Sequence, residues 1–326
     1  MVKENYQFNF YHYLFDFNYQ MRKHSDIPSL DFEKFKSKFI TKDYLPFDLS
    51  EGFKIFKIQD IIKHLKFPLP LHRTNYYDIL FVTKGSKSVK HCGLRKYEIN
   101  PFNIFFKSAG QITSGDIFGN DVEGFFCLLS DDYLPKNIGI AATINSFPFF
   151  KYTGNPIIDL DRDELQKFQF LFETIHQQYY AKAKTELQDT IIASYLNVVF
   201  QEASAIHIMQ NENNISTAIS TAEALTEKFK DLVAEHYLNK RQVNDYAELL
   251  FVTPNHLNKA IKTVTGKTAS LLISEMILME AKVLLKQSNM NVSEIAFYLS
   301  FEDASYFTRF FKKQTSVTPL EFRKME

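Results

Sequence analysis

The spacing of apolar positions in the C-terminal third of the chain repeats once. Ala247 and Leu250 recur 49 residues later as Ala296 and Leu299. The positions that follow recur at an offset of 50 residues: Leu257 as Phe307, Ile261 as Phe311, and Gly266 as Ser316. A repeat of this length, built from segments with helical periodicity, predicts two copies of one supersecondary unit.

Each copy has the pattern of a helix, a tight turn and a second helix. The small alanine suits a point where two helices cross, and the second helix has an apolar pair at i and i+4. Thr253 before Pro254 predicts an N-cap, and Asp303 or Ser305 suits the equivalent cap in the second copy. This is the arrangement of a helix-turn-helix, whose second helix enters the DNA major groove. Two generic helical hairpins are the alternative, and two copies in register favour DNA binding over it.

The stretch from Glu294 to Arg323 resembles the signature of the AraC-type (AraC/XylS) transcription regulators, in particular the run Tyr306-Phe307-Thr308-Arg309-Phe310-Phe311-Lys312-Lys313. The resemblance implies a DNA-binding domain of two helix-turn-helix units joined by a long helix, here residues 268–287. The family usually has glycine at the positions of Ser300 and Ser316. Either these serines adopt a conformation that glycine reaches more cheaply, or the turns differ slightly.

Helix geometry and the resemblance together indicate which side chains contact DNA. In the first copy they are Asn255, His256, Asn258, Lys259 and Lys262, and in the second Ala304, Ser305, Thr308, Arg309, Lys312 and Lys313. Asparagine pairs bidentately with adenine, and lysine suits guanine acceptors or phosphate. Ala304 offers only an apolar contact, so we expect the second copy to discriminate fewer DNA base pairs than the first. A solvated helix face is the alternative for any one charge, and Lys259 and Arg309 are the strongest candidates.

Residues 53–134 alternate short apolar runs with Gly, Pro and Asn, which predicts the strands of an antiparallel barrel or sandwich. Within them, the spacing of His72, Thr74, Asp78 and Gly85 resembles the first motif of the cupins, with one histidine missing and the carboxylate shortened. Phe106 stands where a second cupin motif has histidine. A transition metal needs three or four converging ligands, so we expect neither a metal nor another cofactor.

The same barrel predicts a pocket for a small-molecule effector, lined by aromatic residues with a few polar groups. The polar candidates for effector binding are His72, Arg73, Tyr76, His91 and Lys107. The alternative is a filled barrel that serves only as a dimer or docking module.

Two further segments, residues 161–180 and 186–207, have apolar positions on more than one helix face. In the resembled family such helices form the dimer interface, and covering the barrel within one chain is the alternative. The polar stretch after them, residues 210–217, predicts an interdomain linker.

Composition constrains the function less than the repeat does. The 326 residues suffice for more than one domain, and 38 Lys and Arg balance 38 Asp and Glu. Because DNA-binding proteins are often basic, we expect positive charge on the groove-facing helices and acidic residues elsewhere. The acidic residues expected there are Glu223, Glu227, Asp231, Glu235, Glu275 and Glu280. Residues 1–20 lack the pattern of a signal peptide, and two cysteines at no metal spacing indicate a reduced cytoplasmic setting.

These patterns predict an α+β multidomain protein. A cupin-like antiparallel β-barrel with helices would occupy residues 1–155, a helical dimerisation segment 156–208, a linker 209–221, and an all-α domain of two helix-turn-helix units joined by a long helix 222–326. The predicted function is sequence-specific transcription regulation, not enzyme catalysis, with promoter DNA, an effector, a second copy and RNA polymerase as partners and no membrane. A metal-independent cupin-type enzyme and a regulator without an effector, controlled by its own abundance, are the alternatives.

Overall fold

The computed structural model describes residues 29–41, 52–117, 119, 121–139, 144–151, 155–182, 185–216 and 220–325 of the chain. The signal-peptide prediction concerns residues 1–20 and lies outside this part. Within it, an antiparallel, sheet-rich N-terminal region precedes a helical C-terminal region. The predicted α+β class is confirmed at that level.

Nine strands in the described residues form two sheets. They are β1 (Phe53–Lys57), β2 (Leu69–Arg73), β3 (Tyr77–Lys84), β4 (Ser88–Cys92), β5 (Arg95–Ile99), β6 (Asn103–Lys107), β7 (Ile112–Ile117), β8 (Glu123–Leu129) and β9 (Ile157–Asp159). The larger sheet has the order β1-β8-β3-β6-β9 and the smaller one β2-β7-β4-β5, with antiparallel neighbours throughout. Short helices flank them: α1 (Phe32–Phe39), α2 (Ile58–Ile61), α3 (Tyr133–Ile138) and three single 3₁₀ turns, Ile62–His64, Ile144–Ser146 and Pro148–Phe150.

Strand β3 lies at the centre of the larger sheet, and it is buried on both faces from Tyr77 to Thr83. Side chains alternate across a strand, so Phe81 packs into the apolar cluster of the following helices. Leu80 and Val82 pack into a cluster shared with the smaller sheet. Because both faces are covered, the middle of β3, from Ile79 to Val82, is a continuous apolar run and not a polar–apolar alternation.

Two long helices cover the outer face of the larger sheet, α4 (Arg162–Tyr179) and α5 (Gln188–Ser216). Asp161 and Glu164 form a capping box at the start of α4. The helix α5 continues eight residues into the predicted linker 209–221, so that linker is shorter than the polar composition indicated. Residues 188–210 of α5 are long and apolar enough to cross a membrane by composition alone, a test that the core helix of a soluble protein also passes.

Residues 220–325, as the structure describes them, contain seven helices. They are α6 (Thr221–His236), α7 (Val243–Leu249), α8 (Pro254–Thr265), α9 (Ala269–Gln287), α10 (Val292–Tyr298), α11 (Ala304–Thr315) and α12 (Pro319–Lys324). The side chains of Thr253 and Asp303 accept hydrogen bonds at the N-termini of α8 and α11, as predicted. The predicted joining helix is α9, with Thr268 as its N-cap.

The smaller sheet packs against the C-terminal helices. Ile112 of β7 belongs to the apolar cluster that forms the core of the C-terminal region. Leu71 and Leu94 pack against the same cluster. Gly93 lies in a turn next to the joining helix, where an added Cβ would meet the Met276 sulfur at 3.8 Å. The two regions therefore share one apolar cluster instead of being separated by solvent.

Candidate nucleic-acid interface and N-terminal cavity

The two copies of the repeat have matching backbone geometry at both turns. Phe251 and Ser300, at equivalent positions, have φ angles of 55° and 56°. Gly266 and Ser316, which end the second helix of each copy, have φ angles of 71° and 68°. Both serines therefore adopt the left-handed conformation that glycine reaches more cheaply, and the turns do not differ.

Hydrogen bonds across the turns repeat as well. In the first copy the amide of Val252 donates to the Ala247 carbonyl at 3.0 Å, and in the second the amide of Phe301 donates to the Ala296 carbonyl at 2.9 Å. Both alanines are buried, each with 1% of its surface exposed. A larger side chain at either position would separate the two helices of its unit.

The second helices of the two copies, α8 and α11, each expose a polar face. Of the predicted DNA-binding residues, Asn255, His256, Lys259, Lys262, Ser305, Arg309, Lys312 and Lys313 are exposed, while Asn258, Ala304 and Thr308 are half-buried. In the described residues no ion pair within 4.0 Å engages the five cationic side chains of this set. They are therefore available to a negatively charged partner.

Asn258 has a structural role that the sequence did not indicate. Its Oδ1 accepts a hydrogen bond from the amide of Ala269 at 2.9 Å, at the first turn of α9. A bidentate contact with adenine uses both the oxygen and the nitrogen of an asparagine. Asn258 would have to break this bond to make such a contact, whereas Asn255 is exposed. The counterpart Thr308 bonds within its own helix, to the Ala304 carbonyl at 2.7 Å.

Three acidic residues of the C-terminal region contact the smaller sheet. Arg95 on β5 donates to Glu227 at 2.9 Å and to Asp231 at 2.5 Å, both on α6. Glu280, in the middle of α9, is fully buried. These three acidic side chains lie on the side of the N-terminal region, whereas Glu294 and Asp303 lie at helix N-termini of the second unit, so the expected separation of charge stays a prediction.

The buried Glu280 pairs with Arg73 of β2, one of the predicted effector-binding residues. Arg73 Nη1 donates to Glu280 Oε1 at 2.9 Å, and Nη2 donates to Oε2. The Tyr237 hydroxyl donates to the same carboxylate at 2.6 Å, and Arg73 Nε donates to the Gly110 carbonyl at 2.8 Å. Burial alone would lower the pKa of Arg73, but the Glu280 carboxylate outweighs it and the pKa is raised. Arg73 thus bridges the two regions.

An apolar cavity of about 50 Å³ lies in the N-terminal region. Its walls are Phe32, Phe35, Ile40, Phe56, Ile58, Ile61, Ile62, Leu65, Phe67, Leu69, Leu80, Lys90, Gly115, Phe126 and Leu128. Among these residues Lys90 has the one ionisable side chain. Its Nζ lies 3.3 Å from Asp78 Oδ2 and 5.2 Å from the centre of the Phe105 ring.

A second buried lysine lies beside this cavity. The ammonium of Lys107 donates to Thr74 Oγ1 at 2.7 Å, to the Tyr76 carbonyl at 3.3 Å and to the Ser108 carbonyl at 3.2 Å. It also lies 3.5 Å from Asp78 Oδ1. Burial lowers the pKa of Lys107, and Asp78 opposes that effect. Asp78 is thus shared by two lysines, Lys90 and Lys107.

The five predicted effector-binding residues do not converge on the cavity, and none of them lines it. His72 is buried against Phe35, and its Nδ1 lies 2.8 Å from the Pro70 carbonyl oxygen. Burial lowers the pKa of His72 to about 4, so the imidazole is neutral near pH 7. Tyr76 and Lys107 are neighbours, with the ammonium 5.7 Å from the ring centre.

His91, a predicted effector-binding residue, and Lys90, which lines the cavity, are adjacent on β4 and face opposite sides. Side chains alternate along β4, and Ser88, Lys90 and Cys92 are buried while His91 is half-buried on the other face. Neither face of β4 is uniformly apolar in sequence, so the pattern does not indicate which of two adjacent polar side chains points into the interior. The one indication in the sequence was that Lys90 lies two residues from Cys92, and therefore on the same face of the strand.

Within the described ranges no group of three or more His, Cys, Asp and Glu side chains is placed to hold a metal ion. His72 and Asp78, the survivors of the cupin-like spacing, are engaged with Pro70 and Lys90. The cysteines Cys92 and Cys127 are both buried, and neither forms a disulfide.

Comparison with known proteins gives a match in the C-terminal region. Residues 246–325 match a family described as "Helix-turn-helix domain". The chain is 26% identical over 155 residues to the uncharacterized HTH-type transcriptional regulator YijO of Escherichia coli (strain K12), which covers 48% of this chain and 52% of YijO. The chain thus spans about half the length of that relative.

Two other similarities extend over most of the chain. The HTH-type transcriptional activator RhaR of Mannheimia succiniciproducens is 20% identical over 274 residues, covering 80% of this chain and 89% of RhaR. The solved structure of ToxT from Vibrio cholerae is 14% identical, covers 84% of this chain and 98% of ToxT, and has a TM-score of 0.33.

Proposed function

We propose that this chain, whose C-terminal helix-turn-helix domain is of the AraC type, is a DNA-binding transcription regulator that recognises a specific promoter sequence. The observation that carries the proposal is the repeated unit itself. Two units with the same turn geometry each expose a helix whose cations have no ion-pair partner among the described residues. Two exposed cationic faces on one domain suit a nucleic-acid partner.

In this proposal α8 and α11 enter successive segments of the major groove. Asn255 and Lys259 would contact base edges from α8, and Ser305 and Arg309 from α11, with Lys262, Lys312 and Lys313 on phosphates. His256, Asn258, Ala304 and Thr308 complete the predicted contact set. The joining helix α9 has 19 residues and is about 28 Å long at 1.5 Å per residue. This length is comparable to one turn of DNA, about 34 Å.

The N-terminal region would regulate how the two units are presented to DNA. We place a cupin-like effector domain there, with α4 and α5 as the dimerisation segment, and RNA polymerase as a further partner in the cytoplasm. Strand β2 supports this role because Leu69 lines the cavity while Arg73, on the same strand, holds Glu280 of the joining helix. A change at the cavity therefore has a short path to the DNA-binding region, along β2 and through the Arg73–Glu280 ion pair.

Binding of the purified protein to DNA upstream of its own gene tests the proposal. The measurement is a titration with excess unrelated competitor DNA at two salt concentrations. We expect binding that survives competitor and weakens as salt rises, since phosphate contacts release counterions. The absence of binding at both salts would contradict the proposal, and salt-sensitive binding that competitor abolishes would contradict sequence specificity.

A further inference from the structure

We propose that the N-terminal cavity binds a short-chain carboxylate, with the acid group on Lys90 and the alkyl chain against the apolar walls. This proposal names a ligand class for the effector role proposed above. The regulatory role of the ligand rests on that proposed function, whereas the binding of the ligand is a property of the cavity alone.

The first argument concerns charge. A protonated ammonium has three N–H donors, and Lys107 uses all three on Thr74, Tyr76 and Ser108. These three partners, together with Asp78 Oδ1 at 3.5 Å, suit a protonated Lys107. Lys90 is a second buried cation, and the one carboxylate between the two belongs to Asp78. Two positive charges and one negative charge leave the interior with one excess positive charge, which is costly to bury.

The second argument concerns hydrogen bonds. Lys90 has 7% of its surface exposed, and its one hydrogen bond between described side chains is to Asp78, at 3.3 Å. Two of its three donors therefore have no hydrogen-bond acceptor among the described side chains, while the residue lines the cavity and its Nζ lies 5.2 Å from the centre of the Phe105 ring. A carboxylate entering the cavity would accept from these donors and neutralise the excess charge at once.

The third argument concerns size and polarity. A dry apolar cavity of about 150 Å³ is enough to bind benzene, so a cavity near 50 Å³ suits a chain of roughly two or three carbons beyond the carboxyl group. The walls are aromatic and aliphatic apart from Lys90 and Gly115. A sugar would leave several hydroxyls without partners there, which disfavours polyhydroxylated ligands.

Calorimetric titration of the full-length protein with sodium butanoate tests the proposal. Butanamide serves as the uncharged ligand of equal length, and octanoate as the acid that is too long. We expect butanoate to bind at least ~10-fold more tightly than either, because only butanoate satisfies both charge and volume. No binding of butanoate, or equal binding of butanamide, would overturn the proposal.

Three variants locate the site. Lys90→Met should weaken butanoate binding at least ~10-fold, and Lys87→Gln, an exposed lysine of the same hairpin, should leave it unchanged. Gly115→Ala places a methyl group 3.6 to 3.8 Å from Leu69 and Phe67, so it fits the fold and fills part of the cavity. It should also weaken binding, and it keeps the test valid if Lys90→Met fails to fold. Unchanged binding in Gly115→Ala would overturn the assignment to this cavity.

DNA binding is measured separately on the same samples. If butanoate binds and DNA affinity does not change, the ligand site stands and its role as an effector site is refuted. If the wild-type protein binds no specific DNA, the proposed function fails while the calorimetric result retains its meaning.

Discussion

The two helix-turn-helix copies share a backbone and differ in nearly every side chain that could face DNA. Both have a buried alanine at the helix crossing, a residue with positive φ in the turn and a polar N-cap before the second helix. Their exposed faces diverge: α8 presents Asn255 and Lys259, whereas α11 presents Ser305 and Arg309. The positions that set the geometry of the unit are thus separate from those that would set its specificity.

The interiors of the copies differ too. The second copy packs Phe301 against Phe307 with ring centres 5.2 Å apart, and Phe307 against Phe311 at 5.9 Å. The first copy fills the matching positions with Val252, Leu257 and Ile261. One backbone therefore accommodates an aromatic and an aliphatic core, which indicates that the crossing alanine and the turn, not core volume, define the unit.

The largest expected effect is on the shared alanine. Ala247→Leu and Ala296→Leu should each lower the free energy of unfolding by about 1 to 3 kcal/mol or more, because a larger side chain overpacks the helix crossing. Ala224→Leu on the exposed face of α6 is the control and should change stability little. Urea unfolding measures all three. A large loss of unfolding free energy for the substitution in one copy and none for that in the other would contradict the structural equivalence of the two units.

The exposed cations should affect DNA affinity instead of stability. Arg309→Ala and Lys259→Ala should each weaken specific binding by about 1 to 3 kcal/mol if the side chain contacts a base, with relaxed discrimination at that base. Lys312→Ala should weaken binding to all sequences and reduce the salt dependence. Lys228→Ala on the exposed side of α6 serves as the matched control. Unchanged affinity in both Arg309→Ala and Lys259→Ala would show that the assigned faces are wrong.

Asn258 distinguishes structural support from DNA recognition. Asn258→Ala should cost about 1 kcal/mol of stability, since the amide of Ala269 loses its acceptor. Asn258→Asp retains an acceptor oxygen and should recover most of that loss. Thermal unfolding and DNA binding are measured on both variants. Equal stability of Asn258→Ala and the wild type would contradict the structural role, and full DNA affinity in Asn258→Asp would exclude an adenine contact through the amide.

The smallest effect concerns the left-handed turn residues. Phe251 is 95% exposed, so Phe251→Gly removes backbone strain without losing buried surface. The net gain should be of the order of 0.5 kcal/mol, because glycine also raises the entropy of the unfolded chain. Ser316→Gly should behave alike. Ser305→Gly, in the first turn of α11 where φ is helical, should destabilise and is the control. A loss of stability in Phe251→Gly would mean that its ring has a role in the folded protein.

The features that could be predicted from the sequence are those that depend on interactions between residues close together in the chain. Helical periodicity, N-caps and the offset between the copies act over a few residues, so the repeat, the joining helix and the caps at Thr253 and Asp303 could be predicted. The same local signals located strands in the N-terminal half. The departure of His72, Thr74 and Asp78 from a cupin metal motif is likewise a matter of local spacing, and the expected absence of a metal stays a prediction.

Tertiary structure decided the rest, because the partners lie far apart in the chain or differ only in the face of a strand. Arg73 and Glu280 are 207 residues apart, and no pattern near either one indicates that the smaller sheet packs on α9. Lys90 and His91 are adjacent polar residues, and only the pleat of β4 directs the lysine inward. The packing of the smaller sheet on the C-terminal helices, together with the side-chain orientation in single strands, thus placed the charges that sequence periodicity could not place.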